Sequence, residues 1–131
     1  GILSGLLVES FLKGKFTKYN SNNGHVLKSR SDRSVELAIG EVRLDDFLQA
    51  FSHFTYVTSE MNLIVCDLQG VLNEEGRYPR FELTDPVICT KKKPRYGKTD
   101  LRMKGIRLFC KSHRCNNVCK GLGLPNIGSR K

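Results

Sequence analysis

No run of apolar residues in this 131-residue chain approaches the length needed to cross a bilayer, and the opening GILSGLLVES lacks the basic stretch and cleavage site of a secretory leader. Internal repeats and low-complexity tracts are absent, which excludes solenoids and disordered arrays. Acids are scarce: 13 Asp and Glu face 22 Lys and Arg, a formal charge of +9. Aromatics make up only 8% of residues, and around the basic stretches only Tyr96 and Phe109 are available to stack on bases. That argues against a nucleic-acid partner. The five cysteines (Cys66, Cys89, Cys110, Cys115, Cys119) are an odd number without a leader, so a reducing, cytoplasmic setting is expected rather than a disulfide framework.

The length suits one domain with its own core, and 39% hydrophobic residues mark it as globular. The basic excess concentrates in KKKPRYGK (Lys91 to Lys98) and again from Arg102 to Lys120. Such a face attracts nucleic acid, acidic peptides or nucleotide phosphates, or is simply solvated.

Hydrophobic patterning predicts strands in LLVESFL and GKFTKYN, divided by a turn at Lys13-Gly14. NSNNGH reads as a loop, and KSRSDRS as a polar, mobile one. Leu44, Phe47, Leu48, Phe51 and Phe54 or Thr55 recur at helical spacing, predicting an amphipathic helix over Arg43–Phe54 with His53 in its last turn. NLIVCDL reads as a buried strand ending near Asp67, and LNEEGRYPRFELTDP as a loop broken by Gly76, Pro79 and Pro86. A further helix is expected after a Thr99 cap, carrying Leu101, Ile106, Leu108 and Phe109. A last helical turn would hold Cys115, Val118, Cys119 and Leu122 before Gly121, Gly123 and Pro125 stop it.

Two groups of residues carry chemistry. His53, His113, Cys115 and Cys119 offer two imidazoles and two thiols, the ligand count of a closed tetrahedral zinc site. Cys115 and Cys119, four apart, would share one helix face, with His113 just ahead of it. The competing reading makes His113 a surface residue and the cysteines core. Cys66 and Cys110 fall in apolar runs and read as inert core thiols, and His25 as solvated. The second group is Asp67, Gln69 and Asp85. The first two share a face by strand alternation, and Gln69 and Asp85 supply oxygens suited to magnesium, leaving Asp67 to orient or deprotonate a hydroxyl. Spacing equally allows Asp85 to form only a turn and Asp67 to cap a loop.

FSHFTY, IVCDLQGV, LTDP and GIRLFCKSHRCNNVCKGLGLP, in this order, closely resemble the alpha-kinase family of atypical serine/threonine protein kinases, and GKFTKYNSNNGHV resembles the segment after its hinge. The resemblance implies an α+β fold, the zinc-stapled C-terminal lobe of an alpha-kinase catalytic domain, with residues 1–131 a partial kinase domain from the hinge onward. It implies that His53, His113, Cys115 and Cys119 bind structural zinc. Asp67 would be the catalytic aspartate, Gln69 and Asp85 the magnesium holders, and the backbone around Glu9 to Phe11 the hinge that meets the adenine of ATP. The partners implied are ATP and a protein substrate with Ser or Thr.

This chain also departs from the family pattern. The N-terminal lobe with its phosphate-gripping lysine is not in it, so the chain alone is expected to be inactive. The glycine-rich loop reads Gly97, Asp100, Arg102, Gly105, with Asp and Arg where the family has Asn and Gly, and the insert NEEGRYPRFE lengthens the step from Gln69 to Asp85. The alternative functions are a zinc-stabilised pseudokinase or protein-binding module, and a zinc-dependent nucleic-acid binder.

Overall fold

The computed structural model describes residues 5–6, 8–27, 33–93 and 96–128. Their elements run β1 (Thr17–Lys18), β2 (Ser34–Leu37), β3 (Gly40–Arg43), α1 (Leu44–Thr58), β4 (Leu63–Cys66), β5 (Gln69–Asn73), β6 (Arg80–Leu83), β7 (Val87–Thr90), α2 (Arg102–Ser112) and α3 (Asn117–Gly121). All strand pairing is antiparallel: a three-stranded sheet in the order β1-β5-β6 and two ribbons, β2-β3 and β4-β7. This is an α+β architecture, as the sequence led one to expect.

The apolar strand before Asp67 forms as β4, and its partner is β7, which the sequence reading did not anticipate; nor did it anticipate the β2-β3 hairpin. Ile64, Cys66, Val87 and Cys89 of the β4-β7 ribbon pack on Ile106 and Phe109 of α2. Ile64, Val87, Ile106 and Phe109 each contribute about 1.5–3 kcal/mol when withdrawn from water. A second cluster, Val42, Ala50, Val118 and Cys119, joins β3, α1 and α3. A third, Tyr19, Leu48 and Leu68, seats the turn after β4 on α1.

Several expectations are corrected. The segment from Leu72 to Pro86 is not a loop: β5 and β6 form a hairpin in which Val71 faces Glu82 and Leu72 faces Phe81. Gly76 and Pro79 lie in the connection between the strands, so the breakers mark a hairpin tip. LLVESFL contributes no strand among the described residues, and β1 keeps only two residues of GKFTKYN. KSRSDRS lies largely outside the described residues.

Helix α1 runs to Thr58, which leaves His53 in its interior rather than its last turn. Its buried face is Leu44, Leu48, Gln49, Ala50, Ser52 and His53, while Phe51 and Phe54 are exposed. The inward face is therefore partly polar. Asn20, itself buried, explains this: its amide donates to Gln49 Oε1 (3.4 Å) and Ser52 Oγ (3.2 Å) and its oxygen accepts from Leu68 N (2.9 Å). Polar groups satisfied in this way can be buried without the desolvation penalty that would otherwise unfold the site.

Thr99 does not cap α2. Leu101 occupies that position without a side-chain bond, and Asp100, fully buried, accepts from the backbone N–H groups of Thr90, Tyr96 and Arg102. The last helix is shorter than expected, too. Asn116 caps it by accepting from Val118 N and Cys119 N, so Cys115 precedes the helix and does not share its face with Cys119. Leu122, the C-cap, is exposed.

Candidate active site and metal centre

Asp67 and Gln69 stand at the junction of β4 and β5. Asp67 adopts a left-handed backbone (φ 57°), a region that Asp visits more readily than most residues. The twist turns its carboxylate toward Lys18 of β1, whose Nζ lies 2.7 Å from Asp67 Oδ1. Lys18 is paired in register with Gln69, and the Gln69 amide donates to Asp67 Oδ2 at 3.3 Å and to the Asp85 carbonyl at 3.5 Å. Asp85 is also left-handed (φ 48°) and exposed. The three residues singled out from the sequence are thus brought together across eighteen positions of chain by the β5-β6 hairpin, which returns Asp85 to the start of β5. The long insert is the hairpin itself, so it extends away from the cluster without separating its members.

Gly70 makes this return possible. A Cβ at that position would collide with the Glu82 carbonyl oxygen of β6. The glycine of DLQG is a requirement of strand approach.

Lys18 was not singled out from the sequence. Nothing local distinguishes it from Lys13 or Lys15; only the β1-β5 pairing selects it. Asn20 was missed for the same reason, although it ties the Leu68 backbone to α1. Glu9 and Phe11, expected at the hinge, lie near the same hairpin. The Glu9 carboxylate accepts from the Thr84 hydroxyl, one residue before Asp85. Phe11 is 88% exposed and borders a cleft with Lys13, Leu72 and Glu82.

His53, His113, Cys115 and Cys119 converge from α1, the end of α2 and α3. One ligand atom from each lies within 4.8 Å of all the others. Cys115 Sγ is 3.8 Å from His53 Nδ1, and Cys119 Sγ is 3.6 Å from His113 Nε2. Tetrahedral coordination with metal–sulfur bonds of about 2.3 Å and metal–nitrogen bonds of about 2.0 Å requires N···S edges of roughly 3.5 Å. The donor set fits a tetrahedral metal ion. His113, as expected, lies just ahead of the last helix, at the C-cap of α2, its ring stacked on Phe109. Burial lowers the pKa of His53, against a raising effect of the Pro125 carbonyl, yet among the described residues Nε2 of His53 has no hydrogen-bond partner of good geometry. Burial, with His53 and Arg114 nearby, lowers His113 to about 4. Both shifts favour the neutral ring, the form an imidazole needs as a ligand. Burial, aided by Cys115, pushes the Cys119 thiol up against the lowering effect of the Asn116 backbone, so its thiolate calls for a cation beside it. Cys66 is buried as expected; Cys110 is only partly so.

Residues 4–119 match the model of the alpha-kinase family. The chain belongs to the alpha-kinase family. It is 39% identical over 117 residues to alpha-protein kinase vwkA of Dictyostelium discoideum, a match covering 89% of this chain and 16% of that protein. It is 40% identical over 117 residues to the eukaryotic elongation factor 2 kinase of Mus musculus, covering 89% and 13%. Among solved structures it resembles the apoenzyme alpha-kinase domain of myosin-II heavy chain kinase A (TM-score 0.65, 38% identity, 88% of this chain and 37% of that one). An alpha kinase from Entamoeba histolytica superposes with a TM-score of 0.69 at 34% identity, covering 88% and 38%. An inactive form of the myosin-II heavy chain kinase A domain has been solved with ATP (TM-score 0.65, 37% identity, 88% and 36%). The chain therefore spans less than two-fifths of the solved kinase domains it matches. Among the described residues no helix is long and apolar enough to cross a membrane.

Proposed function

We propose that this chain is the C-terminal lobe of an alpha-type protein kinase, acting inside the cell, that transfers the γ-phosphoryl group of ATP to Ser or Thr of a protein substrate. The observation that carries the reading is the convergence of Lys18, Asp67, Gln69 and Asp85, together with family membership. In this reading Gln69 and Asp85 hold magnesium, which would neutralise phosphate charge. Asp67 accepts or orients the substrate hydroxyl, and Lys18 fixes the direction of the Asp67 carboxylate. Phosphoryl transfer asks chiefly for positioning and charge neutralisation, which such a cluster supplies. The backbone from Glu9 to Phe11 meets the adenine. His53, His113, Cys115 and Cys119 hold zinc as a structural ion: four protein ligands leave no open position for water or substrate. Five unpaired cysteines agree with a reducing compartment.

The test is phosphorylation of an acceptor protein by the full-length protein and its Asp67→Asn variant. General-base assistance is worth about 10²–10⁴-fold, so the variant should lose at least about a hundredfold in rate while still binding Mg-ATP. Unchanged phosphorylation would remove Asp67 from the chemistry. A second reading, a binding module that keeps the fold without transfer, is favoured by Asp100 just before α2 and Arg102 at its first position, where the family pattern has Asn and Gly. It predicts Mg-ATP-independent partner binding and no phosphate incorporation.

A further inference from the structure

From Pro86 to Lys131 the chain carries 13 Lys and Arg against one acid, Asp100, whereas residues 1–85 carry nine against twelve. Asp100 does not offset this charge at the surface, because it is fully buried and occupied by three backbone donors. Helix α2 arranges part of the excess. Lys104, Arg107 and Lys111 are exposed at i, i+3 and i+7, one stripe along the helix. None of the three has an ion-pair partner among the described residues. Lys91 and Lys92, also exposed, stand at the N-terminal end of α2, where their carbonyls accept the Arg102 guanidinium at 3.0 and 3.1 Å.

A groove of about 430 Å³ runs beside this stripe. Gly24, His25 and Val26 form one wall, and Leu108, Lys111 and Ser112 the other. The walls meet closely because Gly24 has φ 85° and lacks a Cβ, which would fall 2.6 Å from the Leu108 carbonyl oxygen. Asn22 holds the same turn in place by donating to the Thr99 carbonyl at 2.9 Å. Val26, 42% exposed, and Leu108 supply apolar surface, and no carboxylate lines the groove.

We propose that the groove and the α2 stripe together form a docking surface for an acidic segment of a protein partner, laid along α2 with one apolar side chain seated between Val26 and Leu108. Like charges held together without counter-charges repel one another, and an acidic partner removes that repulsion while gaining orientation from the complementary pattern. Lys104 to Lys111 spans about 10 Å of helix, the reach of three or four extended peptide residues. A single-stranded nucleic acid would need stacking surfaces, and Tyr96 is the one exposed aromatic in the basic region. An apolar seat between cations suits a peptide with a Leu or Met among Glu and Asp. The proposal concerns binding and stands independently of phosphoryl transfer.

The experiment is fluorescence anisotropy of this chain with a short labelled peptide of Glu residues around one central Leu. The same peptide with Ser for Leu, one with Lys for Glu, an RNA duplex and phosphatidylserine vesicles serve as comparisons. The acidic Leu peptide should bind with a steep salt dependence, and the triple variant Lys104→Glu/Arg107→Glu/Lys111→Glu should bind it at least about tenfold more weakly with unchanged circular dichroism. Val26→Asp should abolish the preference for Leu over Ser. The proposal is overturned by undiminished binding to the triple variant, by equal affinity for the Leu and Ser peptides, or by tighter binding of the RNA or the vesicles. Should the triple variant fail to fold, the Leu/Ser comparison and the comparison ligands on the unmodified chain still decide it.

Discussion

Lys18 Nζ sits 2.7 Å from Asp67 Oδ1, an ion pair that fastens the turn between β4 and β5 to the short strand β1. Lys18 is nearly half exposed, so the pair adds little to stability, on the order of 0–1 kcal/mol. Its value lies in direction. In the proposed reading, replacing Lys18 by Met should leave the melting temperature and ATP affinity nearly unchanged while lowering kcat of the full-length protein by about tenfold or more, since small misorientations of a catalytic group are costly. A matched loss in stability and kcat would instead mark Lys18 as structural.

The proposed zinc site of His53, His113, Cys115 and Cys119 makes a separate demand. Removing the ion with a chelator, or changing Cys119→Ser, should unfold the region that joins α1, α2 and α3. Binding free energies of about 10–16 kcal/mol for structural zinc in small domains are comparable to the whole stability of a domain, about 5–15 kcal/mol. Elemental analysis should return one zinc per chain, and the chelated protein should lose the cooperative thermal transition. A chain that melts identically with and without chelator would exclude a structural ion.

Asp100 offers a pH test. Burial alone would raise its pKa, but donors from Tyr96, Arg102 and Thr90, with the Arg102 charge, hold it below the usual carboxylate value. A carboxyl whose pKa is depressed by folding stabilises the native state above its unfolded pKa of about 3.9, and that contribution is lost as pH falls through the lower folded value. Denaturant titrations of the wild type should therefore steepen in acid below about pH 4, and Asp100→Asn should flatten that slope. Asp100→Ala, which orphans three backbone donors, should cost about 2–4 kcal/mol at neutral pH.

Arg102 has φ 57°, the left-handed region that costs a bulky residue about 1–2 kcal/mol. Its guanidinium bonds to the Lys91 and Lys92 carbonyls offset part of this. Arg102→Ala keeps the strain and loses the bonds, whereas Arg102→Gly relieves the strain. The glycine variant should be more stable than the alanine variant by about 1 kcal/mol in urea unfolding. The reverse order would show that the backbone there is not strained.

Much of the candidate site could be read from residue types in order: the acid and amide of DLQG, the acid of LTDP, the paired thiols after His113. What could not be read was the pairing of Lys18, the role of Asn20, and the hairpin that the Gly76 and Pro79 breakers disguised as a loop. The helical face of α1 was misjudged for a related reason. Phe51 and Phe54 look like core by hydropathy, but Ser52 and His53 are buried because Asn20 and the cysteine cluster offer them partners that a linear pattern does not contain.

The sequence by itself determined the chemistry on offer and the local elements with strong periodicity: a ligand set of two imidazoles and two thiols, a carboxylate ending an apolar strand, and an amphipathic helix carrying His53. These depend on neighbours a few residues apart. Only the tertiary structure decided which cation faces Asp67, that Cys115 lies outside α3, and that Asp85 returns to Gln69. Each depends on strand register and helix docking, in which burial and hydrogen bonding select one long-range arrangement among many that the same local pattern permits.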